Sequence, residues 1–305
     1  MGWLDRELRP LEAPGGKRLR PLLCLLIHEA LGGEWKRALP AAAAIELIHG
    51  FSLIHDDIED HSATRRHRPT VWSLWGLAQG LNAGDAMWAA AHMAAHRLAD
   101  LGHSAELALR VVCCLDEACL DLCAGQYLDL HFAAVDAVSL AQYEEMIRGK
   151  TAALFSAAAE VGALLAGANR AVAEQCSAFG RELGMAFQVV DDILGIWGDP
   201  ETTGKSGASD ILEKKKTLPI LYAMAWEAGR GHHDLRDAYS RPLLTPDDVA
   251  EIKRLLARAG AREHAQRVAE QRHQHALECL ASTGASGPAE AGLRELVATL
   301  VGRSA

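Results

Sequence analysis

Two clusters of aspartates are the residues in this chain best suited to chemistry. They read Asp56-Asp57-Ile58-Glu59-Asp60 and Asp191-Asp192-Ile193-Leu194-Gly195. On a helix, Asp56 and Asp60 share one face, about 6 Å apart along the axis, where two like charges repel each other unless a cation lies between them. Carboxylates without His or Cys suit a hard cation such as Mg²⁺, which takes further ligands from waters and substrate phosphates. The pattern therefore indicates magnesium and a diphosphate.

The basic residues fall into two sets. One combines the run Gly15-Gly16-Lys17-Arg18-Leu19-Arg20-Pro21 with the pair Arg65-Arg66, and the other comprises Lys150, Lys205 and Lys214-Lys215-Lys216. Arginine forks bind phosphate oxygens through paired hydrogen bonds, and lysine supplies a compact positive charge. Each charged run taken alone is also typical of a solvated helix end. Together, the two acidic clusters and two basic sets could hold two diphosphates, one through metal and one directly.

The elements that position these residues are predicted to be helices throughout. Ala and Leu dominate, and apolar residues recur at three- and four-residue spacing. Gly and Pro fall mainly between the periodic segments. The predicted helices cover 17–31, 36–61, 70–79, 83–100, 104–132, 139–166, 169–197, 211–229, 245–260, 262–284 and 287–302. We therefore predict one all-α domain.

Composition excludes several classes of protein. Of the 305 residues, Lys and Arg number 31 and Asp and Glu number 40, and the net charge of −9 argues against nucleic acid and against an anionic membrane surface. We find no secretory signal and no strongly apolar, charge-free stretch long enough for a membrane anchor, so we expect a cytoplasmic location. Seven cysteines are an odd number, and we predict reduced core thiols rather than a disulfide framework or a zinc site.

Motifs spread in order over residues 15–220 resemble those of the trans-isoprenyl diphosphate synthases, the polyprenyl synthetase family, and most closely its short-chain members of the geranylgeranyl diphosphate synthase type. The matching stretches are Gly16-Lys-Arg-Leu-Arg-Pro21, Glu46-Leu-Ile-His49, Ser52-Leu-Ile-His-Asp-Asp-Ile-Glu-Asp60, Arg65-Arg66-His-Arg-Pro-Thr70, Gly125-Gln126-x-x-Asp129, Gly149-Lys150-Thr151, Phe187-Gln188-x-x-Asp191-Asp192, Gly204-Lys205, Ser209-Asp210 and Lys215-Lys216-Thr217-Leu-Pro219.

The resemblance implies an all-α isoprenoid-synthase helical bundle around a central apolar cavity. It also implies a single isoprenyl diphosphate synthase domain over residues 1–305, usually paired as a homodimer. Such enzymes join isopentenyl diphosphate to an allylic diphosphate, here dimethylallyl, geranyl or farnesyl. They use three Mg²⁺ ions. Carried onto this chain, Asp56 and Asp60 hold two of the ions and Asp191 the third, with Asp57 and Asp192 close by.

The resemblance also assigns the substrate-binding residues. The allylic diphosphate is surrounded by Lys150, Thr151, Gln188, Lys205, Lys215 and Arg65, with Lys216 as a candidate to share the task of Lys215. Isopentenyl diphosphate is bound by Lys17, Arg20, His49 and Arg66. From the residues alone, a histidine in an apolar helix is more often a hydrogen-bonded core residue, and it is the motif match that favours a diphosphate contact for His49. Gly195 departs from the family pattern because it removes the outer acid of the second motif, and we expect the third metal site to be altered.

Product length depends on Phe51 and Ser52, one helical turn before the first motif. Phe51 lies about 7.5 Å deeper than Asp56 at helical rise. An aromatic residue at this position, with no insertion in the acidic motif, resembles short-chain synthases that make the C20 geranylgeranyl product, with C15 as the near alternative. Phe51 is also interpretable as an ordinary core residue.

Two other functions stay open. A class I terpene cyclase would leave Lys17, Arg20 and Arg66 without a role, and a non-catalytic subunit of a prenyl synthase would be expected to have lost metal ligands that this chain keeps.

Overall fold

The computed structural model describes residues 18–66, 68–198 and 208–301. Its helices are α1 (Leu19–Ala30), α2 (Leu39–Glu59), α3 (Val71–Trp75), α4 (Leu77–His96), α5 (Ala105–Ala134), α6 (Leu140–Ile147), α7 (Ala153–Leu165), α8 (Arg170–Trp197), α9 (Ser209–Leu212), α10 (Leu218–Ala228), α11 (Asp234–Ser240), α12 (Pro246–Ala259), α13 (Ala261–Ala281) and α14 (Gly287–Val301). A short antiparallel hairpin, β1 (Thr64–Arg65) with β2 (Arg68–Pro69), follows α2. The prediction of an all-α fold is confirmed.

Capping explains why several predicted helix starts lie within a residue of the observed ones. Four residues that precede helices accept, through their side chains, a hydrogen bond from a backbone N–H in the first turn of the helix. These bonds satisfy amides that the helix itself leaves unpaired. These caps are Ser104 of α5, Ser139 of α6, Asn169 of α8 and Thr245 of α12.

The structure departs from the predicted helices in several places. The break predicted between residues 79 and 83 lies instead at Gly76, whose φ of 85° suits glycine. The predicted helix 211–229 is two helices, α9 and α10, and α11 was not predicted. The predicted helix 139–166 contains a π-helical turn, Arg148–Ala152, between α6 and α7.

Helices α2 and α4 pack antiparallel. A Cβ on Gly80 would lie 2.8 Å from Ile58 Cδ1, one on Gly84 would lie 2.2 Å from His55 Nε2, and one on Gly50 would meet the Met87 methyl at 2.4 Å. As α4 proceeds from Gly80 to Met87, its partners on α2 therefore run backwards from Ile58 to Gly50. From the acidic end of α2, both helices extend side by side into the apolar core.

One segment of the described chain, Trp35–Glu59, is long and apolar enough to cross a membrane by composition, with a hydropathy of 1.3. The segment comprises a 3₁₀ turn and α2, and 44% of its apolar stretch of 18 residues is buried inside the structure. Its residues Ala41, Ile45 and Ile48 lie in the main core cluster. An apolar helix of this kind is what the interior of a bundle requires.

All seven cysteines are free thiols, as predicted, but they are not all in the core. Cys24, Cys119 and Cys176 are buried, whereas Cys113 and Cys123 are exposed on α5.

Candidate active site

The last turn of α2 carries the first acidic motif, which contacts two cations. Asp56 Oδ2 accepts from Arg65 Nη2 at 3.1 Å, and its Oδ1 lies 3.2 Å from Lys150 Nζ. Asp57 Oδ1 accepts from Arg65 Nε at 2.7 Å. The hairpin brings Arg65 back to the helix that it has just left, so eight or nine residues of separation become a direct contact. The predicted grouping of Asp56, Arg65 and Lys150 is present.

Negative charge is concentrated at this end of α2. Burial, and then the charge of Asp56, raise the pKa of Asp60, against the opposing effect of Lys150 and Lys215. Burial also raises the pKa of Asp57, although Arg65 opposes it. Lys150 stays charged, because Asp129 and Asp56 more than offset the lowering of its pKa by burial. Additional positive charge would relieve the repulsion between these carboxylates.

Two glycines position Lys150 in the π-helical turn. A Cβ on Gly125 of α5 would lie 2.0 Å from the Lys150 backbone nitrogen, and one on Gly149 would lie 2.5 Å from the carbonyl oxygen of Asp121. The turn and α5 can therefore cross in contact only without side chains at these positions. The crossing places the Lys150 ammonium against Asp129 as well as Asp56. Such π turns are frequent at functional sites.

The second acidic motif divides into an exposed and a buried carboxylate. Asp191 is exposed, and Asp192 is buried. Asp192 accepts hydrogen bonds from Tyr143 Oη at 2.6 Å, Leu218 N at 2.9 Å and Gln188 Nε2 at 2.9 Å. Burial raises the pKa of Asp192 to about 7, while these three donors oppose the shift. Asp191 is thus the carboxylate of the pair that is open to solvent.

Thr151 and Gln188 belong to the same network. Thr151 Oγ1 donates to Gln188 Oε1 at 2.7 Å, and Gln188 then donates to Asp192. These two hydrogen bonds connect the π-helical turn to α8. The turn that carries Lys150 is therefore tied to the second acidic motif.

We expect Asp192→Asn to lower the free energy of unfolding by about 1–3 kcal/mol, because an amide NH₂ would face donors where the carboxylate accepts. The same substitution at the neighbouring Asp191 is the matched control, and we expect it to change stability by less than about 0.5 kcal/mol because that side chain is exposed. Urea unfolding of both variants measures the difference. Equal losses would contradict the hydrogen-bonded role of Asp192.

A second cationic group lies at the start of α1. Arg20 Nη1 lies 3.2 Å from His49 Nε2, and the guanidinium stacks 4.4 Å above the centre of the Phe155 ring. Burial lowers the pKa of Arg20 to about 10, against the charge of Glu46. Within the described residues, Arg20 Nε and Glu46 Oε2 are buried without hydrogen-bond partners. Buried polar atoms are nearly always paired, so this pair of atoms favours a bound ligand or water.

His49 connects this group to the arginines after the first motif. Burial lowers its pKa well below the usual value, and the charges of Arg20, Arg66 and Arg65 lower it further. His49 is therefore neutral, and it lies half-buried in α2 in contact with Arg20. Its contact with isopentenyl diphosphate stays a prediction. Arg66 is exposed, with a φ of 51°.

Of four other lysines predicted to bind substrate, the structure describes two, Lys215 and Lys216. Lys17 and Lys205 lie outside the described residues. Lys215 pairs with Glu213 at 3.0 Å, and its pKa is raised because Glu213, Asp210 and Asp60 outweigh the opposite effect of burial. Lys216 donates to the backbone oxygen of Phe132 at 2.9 Å, so it is held at the end of α5.

Comparison with known proteins identifies the family. The profile described as polyprenyl synthetase matches residues 1–256. A (2E,6E)-farnesyl diphosphate synthase from Mycobacterium tuberculosis is 41% identical over 308 residues, covering 100% of this chain and 84% of its own. The chain belongs to the polyprenyl synthetase family.

Solved structures of similar proteins have the same fold. Geranylgeranyl pyrophosphate synthetase from Pyrococcus horikoshii superimposes with a TM-score of 0.89 at 35% identity, covering 98% of this chain and 89% of its own. Geranylgeranyl pyrophosphate synthase from Corynebacterium glutamicum, solved with isoprenyl diphosphate and magnesium, superimposes with a TM-score of 0.88 at 29% identity, covering 99% and 91%. The fold is the all-helical isoprenoid-synthase bundle.

In the second motif, the carboxylate of Asp210 lies in the space beside Gly195, the position at which the family pattern has an outer acid. A Cβ on Gly195 would lie 2.0 Å from Asp210 Oδ2 and 2.4 Å from its Cγ. Asp210 is 5% exposed and belongs to α9. The sequence placed Asp210 in a family motif without a role. The contact with Gly195 depends on how α9 packs on α8, which no local spacing indicates.

Phe51 and Ser52 lie on α2 below the first motif. Phe51 is 8% exposed and packs edge-to-face on Trp88 of α4, with ring centres 5.3 Å apart. Ser52 Oγ donates to the His49 backbone oxygen at 2.9 Å, so the small hydroxyl stays on its own helix. The structure thus places an aromatic pair between α2 and α4.

Proposed function

We propose that this chain is a Mg²⁺-dependent short-chain trans-prenyltransferase, which joins an allylic diphosphate to isopentenyl diphosphate and releases an all-trans prenyl diphosphate. The observation that carries the proposal is the presence of two separate cationic groups beside α2. Arg65 and Lys150 contact Asp56, while the Arg20 guanidinium lies against the neutral His49 and keeps a buried Nε without a partner among the described residues. Condensation needs two diphosphates, and each group suits one.

Asp56, Asp60 and Asp191 are the residues that we propose to hold Mg²⁺. They offer only oxygen ligands, and the pKa of Asp60 is raised by burial and then by the charge of Asp56, which lies one helical turn away. Within the described residues, no group of three or more His, Cys, Asp or Glu side chains is placed to hold a metal alone. This arrangement fits an ion that takes part of its oxygen shell from a substrate phosphate. Bound Mg²⁺ would supply positive charge that stabilises the departing diphosphate.

The remaining residues have roles that follow from their contacts. Lys150 and Arg65 would bind the allylic diphosphate and stabilise the charge that it gains as its C–O bond breaks. Thr151 and Gln188 would hold Lys150 in place through their hydrogen bonds, and Lys205 and Lys215 would add positive charge. Arg20, His49, Arg66 and Lys17 would seat isopentenyl diphosphate, whose π electrons form the new C–C bond. The proton then lost passes to the released diphosphate.

The apolar core would protect the allylic cation from water. Below the first motif, α2 and α4 present Phe51, Ile54 and Met87 in apolar clusters. We propose a C20 product, with C15 as the alternative. The similar proteins include a farnesyl and a geranylgeranyl synthase. Neither a terpene cyclase nor a non-catalytic subunit is favoured, since the first explains only one cationic group and the second does not explain the intact aspartates.

Incubation with isopentenyl diphosphate and each allylic starter, with and without Mg²⁺, tests the proposal. We expect a C20 or C15 alcohol after hydrolysis of the product, formed only with the metal and both substrates. Release of a cyclic hydrocarbon from the allylic substrate alone would instead indicate a cyclase.

We further propose that the chain forms a homodimer through α4 and α5. These helices expose large apolar side chains, including Leu77, Met93, Leu109, Leu120 and Tyr127, the last three between 63% and 72% exposed. A large contiguous patch of exposed apolar side chains marks a protein contact, and we propose that these side chains form one. Sedimentation should give twice the chain mass of 32.8 kDa.

A further inference from the structure

Two residues of the motifs have no part in the proposed function, and they contact each other. Glu59 lies inside the first acidic motif at the end of α2, and Gln126 lies on α5. Gln126 Nε2 donates to Glu59 Oε2 at 2.6 Å. The hydrogen bond joins residues 67 positions apart in the chain and ties the last turn of α2 to α5.

Gln126 lies between two residues of α5 that contact the candidate site. Gly125, immediately before it, packs against the backbone nitrogen of Lys150, which a Cβ would meet at 2.0 Å. Asp129, one turn after it, accepts from the Lys150 ammonium, which also contacts Asp56. Gln126 is therefore anchored beside the first acidic motif, where α2, α5 and the π-helical turn meet.

The contact with Glu59 fixes the orientation of the Gln126 amide. A carboxylate accepts hydrogen bonds and donates none, so the NH₂ group of the amide must face it and the amide oxygen must face away. That oxygen, Oε1, is buried and has no hydrogen-bond partner among the residues that the structure describes. Because buried polar atoms are nearly always paired, this acceptor indicates a donor that a ligand or water supplies.

We propose that Gln126 is a further binding residue of the metal–diphosphate site, and that Glu59 is the positioning residue that orients it. This inference rests on the proposed prenyltransferase function. Mg²⁺ keeps several waters when it binds carboxylates and phosphates, and such waters donate hydrogen bonds. A water of this shell suits the amide oxygen of Gln126, whereas a phosphate oxygen, itself an acceptor, does not. Glu59 then acts on the ligand through Gln126 and not by direct contact.

Titration of inorganic pyrophosphate, in the presence of Mg²⁺, into wild type, Glu59→Gln, Gln126→Leu and the double variant tests both roles. We expect Gln126→Leu to weaken binding about 3- to 10-fold, the effect of losing one hydrogen bond. Glu59→Gln should also weaken binding, because a glutamine at position 59 can donate as well as accept and no longer holds the amide in one orientation. The double variant should bind as Gln126→Leu does, since both changes act on the same amide oxygen.

Glu106→Gln is the matched control for Glu59→Gln. It removes the same charge from an exposed position near the start of α5, about 30 Å from Gln126 at helical rise. We expect its affinity for pyrophosphate with Mg²⁺ to equal that of wild type.

Unchanged affinity of Gln126→Leu would overturn the binding role of Gln126. If Glu59→Gln weakens binding equally with and without Gln126→Leu, its charge attracts the ion directly and the orienting role is wrong; no effect of Glu59→Gln would also overturn that role. Circular dichroism checks folding, and Gln126→Asn, whose shorter side chain cannot span the same distance, replaces Gln126→Leu if that variant does not fold. Wild-type protein that binds no pyrophosphate with Mg²⁺ and forms no prenyl product would instead contradict the proposed function.

Discussion

Replacing Asp56 by alanine should lower kcat/KM for the condensation about 10²- to 10³-fold, the usual cost of removing one group that stabilises a developing charge. Asp56 is the carboxylate shared by Arg65 and Lys150, at 3.1 Å and 3.2 Å. Without it, a metal ligand would be lost and both cations would be displaced. Steady-state rates over a range of Mg²⁺ concentrations measure the effect, and we expect the dependence on Mg²⁺ to weaken.

Asp100→Ala is the matched control for Asp56→Ala. Its carboxylate is 73% exposed on the turn after α4 and forms only a long pair with Arg97 at 3.9 Å. We expect rates close to wild type. Near-normal turnover of Asp56→Ala, with unchanged dependence on Mg²⁺, would refute its role as a ligand.

Replacing Arg20 by alanine should raise the KM for isopentenyl diphosphate about 10²-fold, while the KM for the allylic substrate changes little. Each charge-assisted hydrogen bond contributes about 1.5–3 kcal/mol, and a guanidinium offers two to one phosphate. Arg20→Lys keeps the charge but not the fork, so its KM should lie between those of alanine and wild type. Initial rates with each substrate varied in turn measure both constants.

Arg37→Ala is the control for Arg20→Ala, because Arg37 is an exposed arginine near the start of the same bundle. An equal rise in both KM values for Arg20→Ala would contradict a separate isopentenyl site. The same result would remove the observation that favours chain elongation over a cyclase.

The helical content was predictable because it depends on local signals. Apolar spacing and caps such as Ser104 and Thr245 identify helices by residues close in sequence. The π-helical turn was not predictable, since it forms where Gly149 meets α5 across the bundle. Gly80 lies in the gap predicted between residues 79 and 83, but the structure places it within α4 in close approach to Ile58, a contact that depends on tertiary packing.

The candidate site also has features that the sequence predicted and features that it did not. The motif order brought Asp56, Arg65 and Lys150 into one prediction, and the structure places them in contact. Two features had no local signal: the burial of Asp192 beneath Tyr143 and the Asp210 carboxylate beside Gly195. Each joins residues at least 15 positions apart in the printed sequence, and each depends on tertiary packing.

The central proposal for this chain is that both acidic motifs bind one diphosphate through metal. Calorimetric titration of inorganic pyrophosphate into wild type, Asp56→Asn, Asp191→Asn and the double variant, each with and without Mg²⁺, tests it most directly. If the motifs share the ligand, binding requires Mg²⁺, each single variant loses most of the affinity, and the double variant loses little more. Losses that add in full, or equal binding without Mg²⁺, would show that the two motifs act independently.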